Sequence, residues 1–126
     1  MPDKEWQKLN LPETSTYIEF PIAFTGKPKN GKATVFTGLL LSCQFILAII
    51  HTMNKAFKKP AFLPYDYFVE EFGMSKETIS AAFKALTERG IIERVKRSYY
   101  KIKVSYNKSD HLEIDSYMFK QLWNVG

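Results

Sequence analysis

LPYDYFVEEFGMSKETISAAFKALTERGIIERVKRSYYKIKVSY, residues 63–106, decides how this chain is read. Its first part, Leu63 to Phe72, sets Phe68, Val69 and Phe72 on one side of a short helix, with Pro64 suited to the first turn and Gly73 to the end. Ser75 is a natural N-cap for the next segment, SKETISAAFKALTER, and Gly90 stops it. On a helix, Ile79, Ala82, Phe83 and Leu86 fall within about 100° of arc, which predicts a buried face. Glu77, Ser80, Ala81, Lys84 and Glu88 occupy the other face, with Lys76 and Thr78 on its flanks. Helix, Gly-Met-Ser turn, helix is a helix-turn-helix arrangement. Further on, Ile102, Val104 and Tyr106 alternate with Lys101, Lys103 and Ser105, which predicts a strand with one buried and one solvated face. Ile91 to Lys96 is its expected hairpin partner and Arg97 to Tyr99 the tip. Two strands are marginal alone, so the hairpin must lean on the helices, as a wing does.

Upstream, the run LSCQFILAIIHTMNKAFKK reads as a helix starting near Ser42, with Phe45, Ile46, Ile49, Ile50 and Met53 on one face. Lysines 55, 58 and 59 crowd its end, where cations suit the helix dipole, and Pro60 stops it. The apolar stretch Leu39 to Ile50 is too short for the roughly 20 residues that span a bilayer, so a buried core helix is expected and no membrane partner. Thr34 to Leu41 fits either a strand or an early turn of that helix. Tyr17 to Phe24 (YIEFPIAF) predicts a short strand interrupted by Pro21, suited to an edge, and Thr25 to Lys32 (TGKPKNGK) an exposed turn. Residues 1–16 read as an arm anchored by Trp6 and Leu9. Beyond Tyr106, Asp115 suits the cap of a short helix carrying Met118, Phe119, Leu122 and Trp123, either packed back on the domain or offered to a second copy.

The expected fold is therefore α+β, mainly α: a winged helix-turn-helix with a three-helix core and β-hairpin wing, an N-terminal strand extension and a short C-terminal element. Residues 1–33 form the arm and edge strand and 34–126 the winged helix domain, together one globular unit. A chain of 126 residues that is 45% hydrophobic and 25% charged can build one core and is not a disordered composition.

The chemistry that composition excludes is as informative. Cys43 is the single cysteine, so no internal disulfide forms, and its apolar surroundings predict a buried thiol. Cysteine usage and the absence of a visible signal peptide point to a reducing, cytoplasmic compartment. One cysteine and two distant histidines, His51 and His111, give no zinc-ligand spacing. GKPKNGK lacks the spacing of a phosphate-cradling loop, and Asp66, Glu70 and Glu71 read as a solvated acidic patch. No nucleophile–base pair is legible, so neither catalysis, a cofactor, a metal nor a small-molecule ligand is expected.

Charge is concentrated. Nine basic residues lie between Lys76 and Lys108 against three acidic ones, an excess larger than the +5 of the whole chain. A basic segment on a near-neutral background is the signature of a polyanion binder. Small side chains at 80 and 81 would let the second helix approach a major groove closely. Ser75, Lys76, Glu77, Thr78, Ser80, Ala81 and Lys84 are the candidate groove residues. Arg94, Lys96, Arg97, Tyr99, Lys101 and Lys103 are the candidate wing contacts, the cations through phosphates. Glu77 and Glu88 oppose phosphate, although Glu77 suits a cytosine amino group.

The stretch from Leu63 to Arg94 resembles the DNA-binding domain of GntR-type bacterial regulators, and less closely the MarR type. The resemblance rests on Leu63-Pro64, Glu71 to Ser75, Thr78-Ile79, Ala82-Phe83, Leu86 and Gly90 to Ile92. It covers about a quarter of the chain and implies that Lys76, Thr78 and Ser80 face the groove. Four departures stand out: Tyr65-Asp66-Tyr67 replaces the usual basic residue, the glycine-rich wing tip is missing, no effector domain follows Tyr106, and about forty residues precede the first helix. YIEFPIAF followed by an apolar helix also resembles the N-terminal part of RepA- or DnaD-type replication initiators. The expectation is a binder of double-stranded DNA, a small transcriptional regulator acting as a homodimer. A replication or partition accessory and a winged helix used for protein interaction alone are the alternatives.

Overall fold

The computed structural model describes residues 17–27 and 31–125. The expected arm over residues 1–16, the tip of the turn at 28–30 and residue 126 lie outside the described residues. The described fold is α+β, with four α-helices and two small antiparallel sheets among those residues. In chain order it runs β1 (Tyr17–Pro21), a 3₁₀ turn (Ile22–Thr25), α1 (Leu41–Phe57), β2 (Ala61–Phe62), α2 (Tyr65–Phe72), α3 (Lys76–Glu88), β3 (Ile92–Lys96), β4 (Tyr99–Ile102), β5 (His111–Asp115) and α4 (Ser116–Val125).

α1 is the axle. The sequence predicts one apolar face, but burial runs through Ser42, Cys43, Phe45 to Thr52 and Met53. A helix buried all round needs cover on two sides. On one side lie α3 and β4, and on another β1. Thr52 is accommodated here because its hydroxyl donates to Ala48 O at 2.8 Å and accepts the Glu19 N–H at 3.0 Å. The helix starts two residues earlier than the sequence suggests: Leu40 is the N-cap, without a side-chain bond, and Ser42 is buried inside the first turn. Gln44 supplies local help by donating its side-chain amide to Leu39 O at 3.0 Å. The helix ends at Phe57, with Lys58 left-handed at φ 54°, before Pro60 enforces a stop. The undecided stretch before α1 is turns rather than strand, closed by a Thr37 N–H to Thr34 O bond of 3.1 Å.

β1 ends at Pro21, and the expected continuation to Phe24 is a 3₁₀ turn. Its partner is β5, with Ile18 opposite Ile114 and Phe20 opposite Leu112. The N-terminal strand is thus paired with the chain beyond the hairpin and packed on α1. Asp115 caps α4, its Oδ1 accepting the N–H groups of Tyr117 and Met118 at 3.0 and 3.2 Å. α4 packs back: Phe119 is fully buried and stacks on Phe45 at 4.7 Å, and Trp123 reaches Phe45 at 5.5 Å. Met118 and Leu122, expected on the same side, are exposed.

The second sheet has the order β2-β4-β3. β3 and β4 form a hairpin with Glu93 opposite Lys101 and Arg94 opposite Tyr100. Between Arg94 and Lys96 the register slips. The tip is a tight turn with Ser98 at φ 64°, and the Leu63 N–H donates to Ser98 O at 2.7 Å, which ties it to the entry of α2. Pairing in β4 ends at Ile102, short of the expected strand to Tyr106. The alternation persists, with residues 102, 104 and 106 half-buried between exposed neighbours.

Candidate nucleic-acid interface

The orientation of α3 follows from its cap and its apolar face. Ser75 Oγ accepts the Thr78 N–H at 3.1 Å and donates to Thr78 Oγ1 at 2.8 Å, so one side chain satisfies a free amide of the first turn. Ile79, Ala82, Phe83 and Leu86 are buried as the periodicity predicts. Gly73, left-handed at φ 69°, closes α2 by donating to Val69 O at 3.0 Å, and three residues later α3 begins. Lys76, Glu77, Ser80, Ala81 and Lys84 are all exposed, and Thr78 is half-buried. Thr78 and Ser75 engage each other, which leaves Ser80 as the outward hydroxyl of this face.

Phe83 connects that face to the hairpin. Its ring stacks on Tyr65 at 5.7 Å and lies 4.4 Å from Tyr100, so the start of α2 and the middle of β4 are clamped to α3. Burial raises the Tyr100 hydroxyl above its ordinary range, which keeps it neutral. Between these clamped elements lies an open cleft of about 380 Å³. Lys76 of α3, Arg94 of β3 and Arg97 of the hairpin tip line it, with Asp66 and Tyr65 on the α2 wall. Among the described residues no carboxylate forms an ion pair with any of the three cations. Such a cleft holds a net positive charge that is free to meet an anion.

The remaining expected contacts lie apart from it. Strand alternation puts Tyr99 and Lys101 on the face opposite the buried Tyr100. There Tyr99 packs on Phe62 at 5.0 Å, Lys96 sits over the Tyr99 ring at 4.4 Å, and Lys101 is cross-strand from Glu93. Lys103 lies beyond the strand, its N–H donating to Ile91 O at 2.9 Å. Lys84 is two turns along α3 from Lys76. Arg89, part of the basic run, is committed elsewhere: its Nη1 donates to Thr37 O at 2.7 Å and Val35 O at 3.2 Å, tying α3 to the segment before α1. The basic run of the sequence therefore resolves into one three-cation cleft, a flanking lysine set and one structural clamp.

No family model, curated protein or solved structure matches this chain. The case for a function therefore rests on the geometry.

One further cluster, around His51, is not among the sequence-based site candidates. His51 Nε2 lies 2.9 Å from Glu19 Oε1 and its Nδ1 lies 2.6 Å from Tyr106 Oη. The consistent tautomer has Nε2–H donating to the carboxylate and Nδ1 accepting from the phenol. Lys55 donates to Glu19 Oε2 at 2.7 Å. His111, distant in sequence, comes within 3.7 Å of the same carboxylate, while its Nδ1 donates to Lys108 O at 2.7 Å. Burial pushes the Glu19 carboxyl up, but the hydrogen bonds from Lys55 and His51 outweigh it and leave it below its ordinary value. Burial lowers His51, with Glu19 pulling partly the other way. Burial also raises the Tyr106 phenol to about 12. Among the described residues no three His, Cys, Asp or Glu side chains converge as a metal-binding group. The cluster staples β1, α1 and the chain leaving the hairpin. Cys43 is buried, and burial raises its thiol.

Proposed function

We propose that this chain is a winged helix protein that binds double-stranded DNA, with α3 in the major groove and the β3–β4 hairpin as its wing, and that it acts as a small transcriptional regulator. One observation carries this reading: Lys76, Arg94 and Arg97, from three elements, line one open cleft beside an outward helix face on which Ser80 and Ala81 are small. Cations in the cleft would take phosphates and set register, while Ser80 and the first turns of α3 would meet base edges. The element order α1-β2-α2-α3-β3-β4 supports it, because in that order the hairpin leans on the helices it follows. The described helices include none long and apolar enough to cross a membrane.

Selection of bound fragments from a random duplex pool, followed by gel shifts between about 50 and about 200 mM salt, tests the proposal. A recovered motif with steep salt dependence is expected, palindromic if two copies bind. Direct repeats would favour the replication or partition reading, for which the exposed Tyr117, Met118 and Leu122 of α4 offer an apolar surface for recruitment. Absence of any duplex binding at the lowest salt refutes the DNA reading and leaves the domain as a protein-interaction module. Ser80→Ala is expected to relax preference at one base position by about 1–3 kcal/mol while leaving non-specific binding intact.

A further inference from the structure

Tyr106 also lines a second cavity, of about 570 Å³, between the Ile22–Thr25 turn, the 34–36 segment and the 105–110 loop. Its size falls within the range of about 300 to about 1,000 Å³ typical of small-molecule sites. Ile22, Val35, Phe36 and Tyr106 give it apolar and aromatic walls. The aromatic wall is preformed. Phe24 lies behind both rings, 5.3 Å from Phe36 and 5.0 Å from Tyr106. The Tyr106 hydroxyl is held by His51, so the ring cannot swing away without breaking a part-buried hydrogen bond of 2.6 Å. Walls fixed in advance reduce the ordering cost of binding.

Two exposed charges of opposite sign, Lys27 and Asp110, line the same cavity. Among the described residues neither has an ion-pair partner. Asp110 is fixed by its backbone, its N–H donating to Asn107 Oδ1 at 3.3 Å and its carbonyl accepting the Ile22 N–H at 2.9 Å. A cation and an anion that line one cavity without pairing to each other, above apolar walls, match a ligand that carries both charges and an apolar body. Phe36 and Tyr106 meet edge to face at 6.2 Å and so form one continuous wall. We propose that this cavity binds a free amino acid with a large apolar side chain, its carboxylate at Lys27, its ammonium at Asp110 and its side chain laid against the wall that Phe36 and Tyr106 make. The inference is independent of DNA binding. It departs from the sequence expectation of no small-molecule ligand, because the lining residues come from three separated segments.

Calorimetric titration of the full chain with L-phenylalanine is the test. Saturable one-site binding is expected. Glycine, which has both charges and no side chain, should give no heat. 3-Phenylpropionate and phenethylamine each keep the ring and one charge, and each should bind about tenfold or more weakly, the loss expected for one charge-assisted contact. Lys27→Ala and Asp110→Ala should weaken L-phenylalanine by a similar factor, and thermal melts would verify that these surface variants remain folded. No binding of L-phenylalanine at millimolar concentration overturns the proposal. So does binding of 3-phenylpropionate as tight as that of L-phenylalanine, or unchanged affinity in both variants.

Discussion

His51 Nε2 stands 2.9 Å from Glu19 Oε1, joining the middle of the buried α1 to the first strand. Burial of His51 at this contact, only partly offset by Glu19, makes folding pH-dependent. Folded His51 titrates below its ordinary 6.5, so between 6.5 and the folded value the unfolded chain binds more protons. Stability therefore falls as pH drops through that window, by at most about 1.4 kcal/mol per pH unit from this one group. Glu19, lowered from 4.5, adds a second loss as pH falls below that value. At the alkaline end the Tyr106 contribution is present below 10 and is lost as pH rises to about 12. Urea midpoints measured against pH are expected to decline below 6.5, and His51→Gln should flatten that limb. An unchanged slope in His51→Gln would assign the effect to other groups.

Lys76 and Arg94 are 18 residues apart and line one cleft, whereas Lys101 lies across the hairpin from Glu93. Under the DNA proposal this geometry ranks cations that the sequence treats as equal. Lys76→Ala, Arg94→Ala and Arg97→Ala should each weaken binding on all duplexes. Each should also make the log–log salt dependence shallower by about 0.9, the share of one released phosphate contact. Lys101→Ala should change neither by more than a fraction of that. Equal effects of Arg94→Ala and Lys101→Ala would mean that the cleft is not where the backbone sits.

The difference between legible and illegible features is one of sequence range. Ser75 as a cap, the buried face of Ile79 to Leu86 and the Asp115 cap each depend on neighbours within a turn or so, and all three appear as expected. The alternation from Lys101 to Tyr106 was legible for the same reason, although pairing stops at Ile102 because β3 supplies no further partner. The burial of the far side of α1 was not legible, since the strand that covers it comes from residues 17–21 and pairs with residues 111–115. The Glu19–His51–Tyr106 staple spans 32 and 55 residues, and its one local sign is a histidine within an apolar run. In the basic segment the charges were countable. Arg89 contributes to that count without being a candidate contact, and nothing local reveals that its guanidinium closes on Val35 and Thr37.

Gly26 and Gly90 separate two costs that a glycine-to-alanine change can carry. Both have positive φ, 72° and 71°, so alanine is strained at either place, by about 1–2 kcal/mol. At Gly90 an added Cβ meets nothing within 4 Å, and that strain is the whole cost. At Gly26 the Cβ would overlap the Phe36 carbonyl, a backbone group that can yield only by moving the segment leading into α1. Gly26→Ala is therefore expected to destabilise by about 3 kcal/mol or more, adding an overpacking cost to the strain. Denaturant midpoints of the two variants test the difference, and equal values would show that the 33–37 segment shifts freely.

Phe119 tests whether α4 belongs to the core or is merely laid on it. Its ring stacks on Phe45 of α1 at 4.7 Å, meets Phe72 of α2 edge-on at 5.9 Å and lies 6.5 Å from Phe20 of β1. One side chain thus joins three elements that share few other contacts with the C-terminal helix. Truncation to alanine removes a fully buried aromatic and leaves a void with walls on several elements, a change worth about 3–5 kcal/mol. Met118→Ala, one residue away and 56% exposed, should cost less than about 0.5 kcal/mol. Because the walls of that void include α1, the loss should appear as one cooperative transition at lower temperature, with amides of α1 losing exchange protection together with those of α4. A separate early melt of α4, with the α1 amides still protected, would show that the helix is an appendage and that Phe45 finds other cover.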